Sequence, residues 1–365
     1  MQLSGANPVA AARNVGLKIV RRALQVHKPL VRAARRATRL GEQLGYRRQE
    51  LAVEREIAAI AAADAPIIAG PWLAEVGYEA LYWIPFLRWF QDVYRIDPAR
   101  VTAVSRGGVD HWYHGLAGRY VDLFDFFTPD EFAARNEARR SETDGGGQKQ
   151  SGLGAFDREI LDRVRERAGV PGAVAFHPAL LFRLFNQFWL GNQSLDFLWT
   201  HTRFERHPTP PPPALDLPPE YTAAKFYTGI ALPDGEVTRR AVRTLVERLA
   251  ARRPVVILDP GLNVDEHRDY LFDGLANVYS LRDALPPRVN LGVQTAVIAG
   301  ARQFVGTCGS VAWLAPLLGV PTLAVFAEDK LLTTHLMVAR HAYRAAGAAA
   351  FVTADLRAFD RLGVV

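Results

Sequence analysis

A loop of small residues between two short apolar runs has the composition of a phosphate-binding turn. Its small residues are Gly306, Thr307, Gly309 and Ser310, and the apolar runs on either side are Phe304–Gly306 and Thr322–Phe326. Glycine lets the backbone turn sharply and approach a ligand, and a helix that begins at Ser310 would direct free N–H groups at an anion. The same residues can also serve only to pack the loop against a sheet, because they match neither glycine-rich nucleotide fingerprint.

A second glycine-containing loop carries two carboxylates. It follows the apolar run Ile67–Ala69 and contains Glu75 and Glu79, ahead of Pro85. A carboxylate near the end of a strand can act as a general base and remove the proton of a hydroxyl group. The two glutamates are four residues apart and would share one face once a helix has begun. A capping or salt-bridging role for either one is the alternative.

The ends of other predicted strands add five candidate residues, which are Arg106, Lys225, Tyr227, Thr228 and Glu328. Arg106 is a candidate to hold an anionic acceptor or a departing diphosphate. Lys225, Tyr227 and Thr228 lie where one predicted strand runs out and are candidates to contact a diphosphate. Glu328 is a candidate to accept hydrogen bonds from ribose hydroxyls. A solvated lysine at a strand edge and an exposed acid in a loop are the alternatives for Lys225 and Glu328.

Strands and helices alternate along the chain, which predicts an α/β fold with parallel sheets. A proline-rich stretch at 208–220 cannot continue a helix or a central strand, so it is predicted to be a semi-rigid linker. It separates a Rossmann-like domain at 65–207 from a second one at 221–345. The remaining residues, 346–365, are predicted to form a helix that can cross back onto the first domain. Two such domains would face each other across a cleft, with the carboxyl ends of both sheets opposed.

Residues 1–64 are predicted to form a basic helical arm. The first fifty residues hold eleven lysines and arginines against two glutamates, in a chain of net charge +6. Basic and apolar residues interleave over 13–48, which suits either an amphipathic helix on an anionic membrane surface or a solvated helix packed on the body. Nucleic acid is not an expected partner, because aromatic residues for base stacking are nearly absent from this segment.

The composition limits the protein class and the compartment. The 365 residues, 49% of them apolar, suffice for two domains and exclude a disordered or fibrous protein. The single cysteine, Cys308, excludes an internal disulfide and fits a reducing compartment. With no long apolar run and no apolar core of a signal peptide, we expect a cytoplasmic protein that is soluble or peripheral on the inner membrane face. Asp110, His111 and His114 resemble polar residues at a helix start more than a metal site, so no metal is predicted.

The two loops and the strand spacing over residues 65–345 resemble glycosyltransferases of the two-domain GT-B architecture, especially the family 9 group that includes the lipopolysaccharide heptosyltransferases. In that group an acidic residue lies six positions before a helix proline, a pattern met here by Glu79 and Pro85. The later loop is similar to the family's donor-binding stretch. It departs from that stretch in having Cys308-Gly309-Ser310 for an Asp-Ser-Gly-type triplet and Trp313 for a histidine.

The resemblance implies an inverting hexosyl- or heptosyltransferase in surface polysaccharide synthesis. The donor would be a nucleotide-diphosphate sugar and the acceptor a glycan or lipid-linked saccharide, with no metal and no further cofactor. It also implies that Glu79, rather than Glu75, is the base. Two other functions stay open, which are a non-catalytic protein that binds sugar nucleotides or glycans on the same fold and a sugar-nucleotide epimerase.

Overall fold

The computed structural model describes residues 41, 43–142, 149–262, 267–282, 285–330 and 332–361. Residues 43–62 are helical and form α1. Most of the predicted basic arm, including the greater part of the segment 13–48 predicted to meet a membrane, lies outside the described residues. The described residues from Arg55 onward form one compact unit, which contains both sheets.

The first sheet, sheet A, has four parallel strands in the order β3-β2-β1-β4. The strands are β1 (Ile67–Ala69), β2 (Val101–Ser105), β3 (Arg119–Asp122) and β4 (Val174–Phe176). The helices of this part of the chain are α2 (Val76–Tyr78), α3 (Ile84–Tyr94), α4 (Pro129–Glu142), α5 (Ala155–Ala168), α6 (Pro178–Leu184), α7 (Asn186–Trp189) and α8 (Leu195–Thr200). All residues of β1 and β2 are buried, as expected for apolar strands with helices on both faces.

The second sheet, sheet B, has six parallel strands in the order β7-β6-β5-β8-β9-β10. The strands are β5 (Thr222–Lys225), β6 (Val255–Ile257), β7 (Val278–Ser280), β8 (Gln303–Thr307), β9 (Thr322–Phe326) and β10 (Phe351–Asp355). The helices are α9 (Glu236–Ala250), α10 (Asn290–Gly300), α11 (Leu332–Ala345) and α12 (Leu356–Arg361). This strand order is that of the Rossmann fold, whose topological switch point here lies between β5 and β8. The predicted α/β class with two Rossmann-like parallel sheets is confirmed.

The helix predicted to begin at Ser310 is not an α-helix. The chain makes two short 3-10 turns there, Ser310–Ala312 and Ala315–Leu318. Pro316 lacks the N–H group that a continuous helix would need to reach the carbonyl of Ala312. Ser310 itself has a positive φ of 45° and does not cap the turn. A long helix dipole and a row of free N–H groups are therefore missing at this loop.

The C-terminal segment stays with sheet B. Strand β10 pairs with β9 at one edge of the sheet, and α12 follows at once. Leu356 is buried in the core that surrounds Val242 and Val246 of α9. The predicted crossing of the last helix onto the first domain is therefore wrong for the described residues. The domain boundary predicted at residue 345 also leaves out a strand of sheet B.

Candidate active site at the cleft between the two sheets

The loops at the carboxyl ends of the two sheets touch each other, and two of their contacts lie beside the cleft. Gly292, at the start of α10, donates a backbone hydrogen bond of 2.8 Å to the carbonyl of Gly107, which follows β2. On the other side Gly77 packs against Ser310, and a Cβ atom at Gly77 would lie 2.8 Å from the Ser310 nitrogen and 2.7 Å from Cδ1 of Trp313. The space between the two contacts is the cleft that the fold predicts for ligands.

The Gly77 contact yields a prediction about stability. Gly77→Ala places a methyl group closer to backbone atoms than van der Waals contact allows, so we expect the free energy of unfolding to fall by about 1–3 kcal/mol. Gly172→Ala is the matched control, because no atom lies within 4 Å of its Cβ position. Urea denaturation of both variants measures the effect. Equal stabilities of the two variants would show that the contact between the loops is loose.

The first of two cavities in the cleft has a volume of about 70 Å³ and is lined by polar groups from both domains. Sheet A contributes Arg106, and sheet B contributes Lys225, Ser310 and Gln294. The Oε1 atom of Gln294 is buried and accepts no hydrogen bond from the described residues. The cavity is therefore small, with a largely apolar wall that also carries two cationic side chains and the acidic side chain of Asp269.

The second cavity has a volume of about 190 Å³ and contains the carboxylate candidate Glu75. The same cavity is lined by Gly309, Lys330 and the aromatic residues Trp313 and His335. This cavity combines a carboxylate, a lysine and a glycine turn within aromatic walls. Such a set of groups suits a reaction in which a hydroxyl loses a proton and an anion departs.

The two cavities are neighbouring parts of one cleft. Tyr227 and His267 line both of them. The adjacent residues Glu75 and Val76 line different cavities, and so do Gly309 and Ser310. Two loops, one from each sheet, therefore divide the cleft into its two parts.

Glu79 lines neither cavity and is fully buried in sheet A's domain. It lies in a π-helical turn, Glu79–Trp83, between α2 and α3, and its Oε1 accepts a hydrogen bond of 2.6 Å from the hydroxyl of Tyr113. Burial raises the pKa of Glu79 from 4.5 to about 7, against the lowering effects of Ser105, Tyr113 and Arg106. The preference for Glu79 as the base stays a prediction, and in this structure its carboxylate lies away from both cavities.

The local backbone explains why the two glutamates lie in different surroundings. Glu75 has extended angles, φ −63° and ψ 144°, and precedes the first helical residue Val76. The predicted common helix face therefore does not exist, since only Glu79 lies within the helix. The extended residue points into the second cavity, and the helical one points into the protein interior.

Arg106 supports the loop that carries Glu75. Its guanidinium donates to the carbonyl of Trp72 at 3.2 Å and to that of Ala74 at 2.9 Å, and it lies over the ring of Phe132. Arg106 is almost completely buried but still lines the first cavity. Its predicted contact with an anion stays a prediction, and its observed contacts are with the protein's own backbone.

Lys225 is paired in this structure. Its Nζ donates to the carbonyl of Leu258 at 2.8 Å and lies 3.1 Å from Oδ1 of Asp269. The residue is therefore not the solvated lysine of a strand edge. A phosphate that reached Lys225 would compete with Asp269 for its ammonium group.

The other residues predicted to contact the nucleotide-sugar donor make hydrogen bonds within the protein. The backbone of Tyr227 bonds to the Thr307 hydroxyl, through an N–H donor at 3.0 Å and a carbonyl acceptor at 3.2 Å. Thr228 bonds to the backbone of Arg268, and Glu328 accepts from the Lys330 N–H at 3.1 Å.

Gly306 lies inside strand β8, where a Cβ atom would be 2.3 Å from the carbonyl of Lys225. Its role here is close packing of strands rather than approach to a ligand. Of the residues predicted for the donor, only Lys225, Tyr227, Gly309 and Ser310 line the cleft cavities.

Sequence patterns gave no sign of His335, which joins α11 to sheet A's domain. Its Nε2 lies 2.9 Å from the Tyr78 hydroxyl and its Nδ1 lies 2.6 Å from the Tyr82 hydroxyl. Burial lowers the pKa of His335 to about 4, and the nearby charge of Lys149 adds to this effect. More than 250 residues separate the partners, so no local spacing could have indicated the contact. The neutral histidine forms part of the wall of the second cavity.

Two searches of the described residues were negative. No group of three or more His, Cys, Asp or Glu side chains has the arrangement of a metal site in the described part of the chain. Within the same residues, no helix is both long enough and apolar enough to span a bilayer.

Solved structures similar to this chain include three glycosyltransferases. The iron-containing dodecameric glycosyltransferase TibC of enterotoxigenic E. coli is 10% identical, with a TM-score of 0.37 over 72% of this chain and 58% of TibC. A family 9 glycosyltransferase of Veillonella parvula is 11% identical, with a TM-score of 0.39 over 82% of this chain and 89% of its own. The E. coli heptosyltransferase WaaC, solved with ADP, is 16% identical, with a TM-score of 0.38 over 82% of this chain and 98% of WaaC.

This chain therefore spans less than two thirds of TibC. No protein-family profile matches the chain, and no curated protein sequence does. Similarity at these TM-scores decides neither the family nor the activity of this chain.

Proposed function

We propose that this protein is an inverting glycosyltransferase that moves a sugar from a nucleotide-diphosphate sugar onto a glycan or lipid-linked saccharide in surface polysaccharide synthesis. The observation that carries the proposal is the position of Glu75. Glu75 lines a cavity at the carboxyl ends of two parallel sheets, together with Gly309 and Lys330. A carboxylate facing a potential anion site across a two-domain cleft suits transfer between two substrates.

In the proposed reaction Glu75 removes the proton of the acceptor hydroxyl as its oxygen attacks the anomeric carbon. The new glycosidic bond forms on one face of the sugar while the bond to the nucleoside diphosphate breaks on the other, so the configuration inverts. The electron pair of the broken bond leaves on the diphosphate. Lys330, the Gly309 turn and Lys225 would stabilise that negative charge, which grows as the bond breaks.

The donor would occupy the first cavity and the turn beside it. Lys225, Tyr227, Gly309 and Ser310 are the proposed diphosphate contacts, and Arg106 is a proposed further cation. Thr228 remains a proposed contact of the diphosphate and Glu328 a proposed contact of the ribose, although neither lines the two cavities. Both cavities are smaller than the roughly 300–1,000 Å³ of ordinary ligand sites. Donor binding would therefore require the two loops to separate around Tyr227.

Membrane attachment through residues 13–48 stays part of the proposal. A lipid-linked acceptor lies at a membrane surface, and the net positive charge of this segment favours anionic lipid. The cytoplasmic face of the inner membrane is the proposed location.

Thermal stabilisation by nucleotides tests the donor site. We expect one of UDP, GDP, ADP and CMP to raise the Tm selectively, because a ligand at about 100 times its Kd adds about 2.7 kcal/mol to folding. Lys225→Ala and Ser310→Ala should lose the shift. Ser141→Ala, at an exposed position on α4, should keep it. No shift with any nucleotide would contradict the donor site.

Two further outcomes would favour the other functions. Selective nucleotide binding without transfer, unaffected by substitution of either glutamate, would indicate a non-catalytic binding protein. Rapid release of free nucleotide from the donor alone would indicate an epimerase, because a transferase without acceptor turns over slowly.

A further inference from the structure

A buried glutamine holds the loop that carries Glu75. Gln150 is fully buried, and its Oε1 accepts a hydrogen bond of 2.9 Å from the N–H of Leu73. Its Nε2 donates to the carbonyl of Pro71 at 2.9 Å and to Oδ1 of Asp157 at 3.2 Å. One side chain therefore fixes both ends of a three-residue stretch that lies 77 or more positions away in the chain.

Other side chains complete the support of this loop. Asn136 donates to the carbonyl of Leu73 at 3.1 Å, and Arg106 donates to the carbonyls of Trp72 and Ala74. Four consecutive backbone carbonyls, from residue 71 to residue 74, thus each accept a hydrogen bond from a distant side chain. Loops are ordinarily the mobile parts of a fold. The large number of side-chain hydrogen bonds to this one short stretch therefore indicates that its position must be fixed.

The support occupies the topological switch point of sheet A, between β1 and β4. Asp157 is fully buried there and accepts from His177, the residue after β4, at 3.0 Å and from the Gly154 N–H at 2.9 Å. Open parallel sheets bind ligands at such a crevice. In this domain the protein's own side chains fill it, so the crevice positions the neighbouring loop instead of holding a substrate.

We propose that Gln150 is a positioning residue for Glu75, an inference that rests on the proposed function for its effect on catalysis. Gln150 touches neither cavity wall. It acts through the backbone of residues 71–74, which leads directly into Glu75. A general base must lie within hydrogen-bond reach of its proton, so a shift of this loop by about 1 Å lowers the rate without disturbing donor contacts on sheet B.

Gln150→Leu tests the proposal, with Gln91→Leu as the matched control. Gln91 is also a buried glutamine of sheet A's domain, and it donates to the carbonyl of Leu116 at 2.5 Å, away from the loop. Hydrogen exchange is measured by mass spectrometry on peptides covering residues 71–76. In Gln150→Leu we expect exchange there to be at least about tenfold faster than in wild type, because buried backbone groups lose their partners. Gln91→Leu should leave exchange at the loop unchanged.

Transfer kinetics supply the second measurement. Gln150→Leu should lower kcat about 10–100-fold at an unchanged donor KM. Asn136→Leu removes one bond to the loop, at Leu73, together with the bond that Asn136 accepts from Arg139. It should show the same two effects more weakly and protects the test against misfolding of the first variant.

The outcomes are separable. The proposal is wrong if the amides of residues 71–76 exchange at the wild-type rate in both Gln150→Leu and Asn136→Leu. It is also wrong if exchange at the loop is faster in these variants but kcat is unchanged. If wild type transfers no sugar, the proposed function fails, and the exchange result still decides whether Gln150 holds the loop.

Discussion

Glu75→Gln is expected to lower kcat for sugar transfer by about 10²–10⁴-fold, the usual contribution of a general base. The amide keeps the shape of the side chain but cannot take the acceptor's proton. Nucleotide binding should persist, because the proposed diphosphate contacts lie on sheet B. The measurement is the initial rate of transfer with the sugar nucleotide that the thermal panel selects.

Glu79→Gln is the matched control for that result. Glu79 is fully buried and lines neither cavity, so its loss should change kcat less than about tenfold. The reverse pattern, an active Glu75→Gln and an inactive Glu79→Gln, would restore the assignment that the family's spacing to Pro85 implies. It would also mean that the domain opens far enough to expose Glu79.

The stability of wild type is expected to fall relative to Glu79→Gln as the pH rises from 4.5 to 7. The pKa of Glu79 is raised from 4.5 to about 7, chiefly by burial, so the folded state keeps a proton that the unfolded state has already lost. Stability then decreases with pH through this window. At 1.36 kcal/mol per pKa unit the full effect is about 3 kcal/mol.

Urea denaturation of both proteins between about pH 4 and pH 8 measures this effect. The difference between the two curves isolates Glu79, because every other titrating group is common to both proteins. The Tyr113 hydroxyl can still donate to the amide oxygen of the variant, so its hydrogen bond is kept. Parallel curves would show that Glu79 is ionised in the folded state and that its pocket admits water.

Access to the acceptor, rather than the pKa, separates the two glutamates as candidate bases. A pKa of about 7 would suit a general base, but Glu79 is fully buried and lines neither cavity. Glu75 has the access, since it lines the second cavity. The two variants therefore test one assignment by independent measurements, one kinetic and one thermodynamic.

Periodicity and residue type alone predicted part of each sheet. The runs that became β1, β8 and β9 are short, apolar and bounded by glycine or polar residues, so their pattern is local. Strands β3, β4, β7 and β10 were missed, and for β10 the reason is that it lies at an edge of sheet B, where its exposed residues weaken the apolar pattern. The helix expected at Ser310 failed because Pro316 interrupts the hydrogen bonding that small residues would otherwise permit.

The sequence by itself determined the parallel α/β architecture and supplied two candidate carboxylates, Glu75 and Glu79. The architecture follows from short-range rules of backbone hydrogen bonding and side-chain burial. Only the tertiary structure placed the two glutamates in different surroundings, because Glu75 is an extended residue before α2 and Glu79 lies in a π-helical turn after it. Only the tertiary structure shows that Gln150 and His335 contact the segment that follows β1. Contacts between residues 77 to 257 positions apart depend on how the sheets pack, so they leave no local pattern in the sequence.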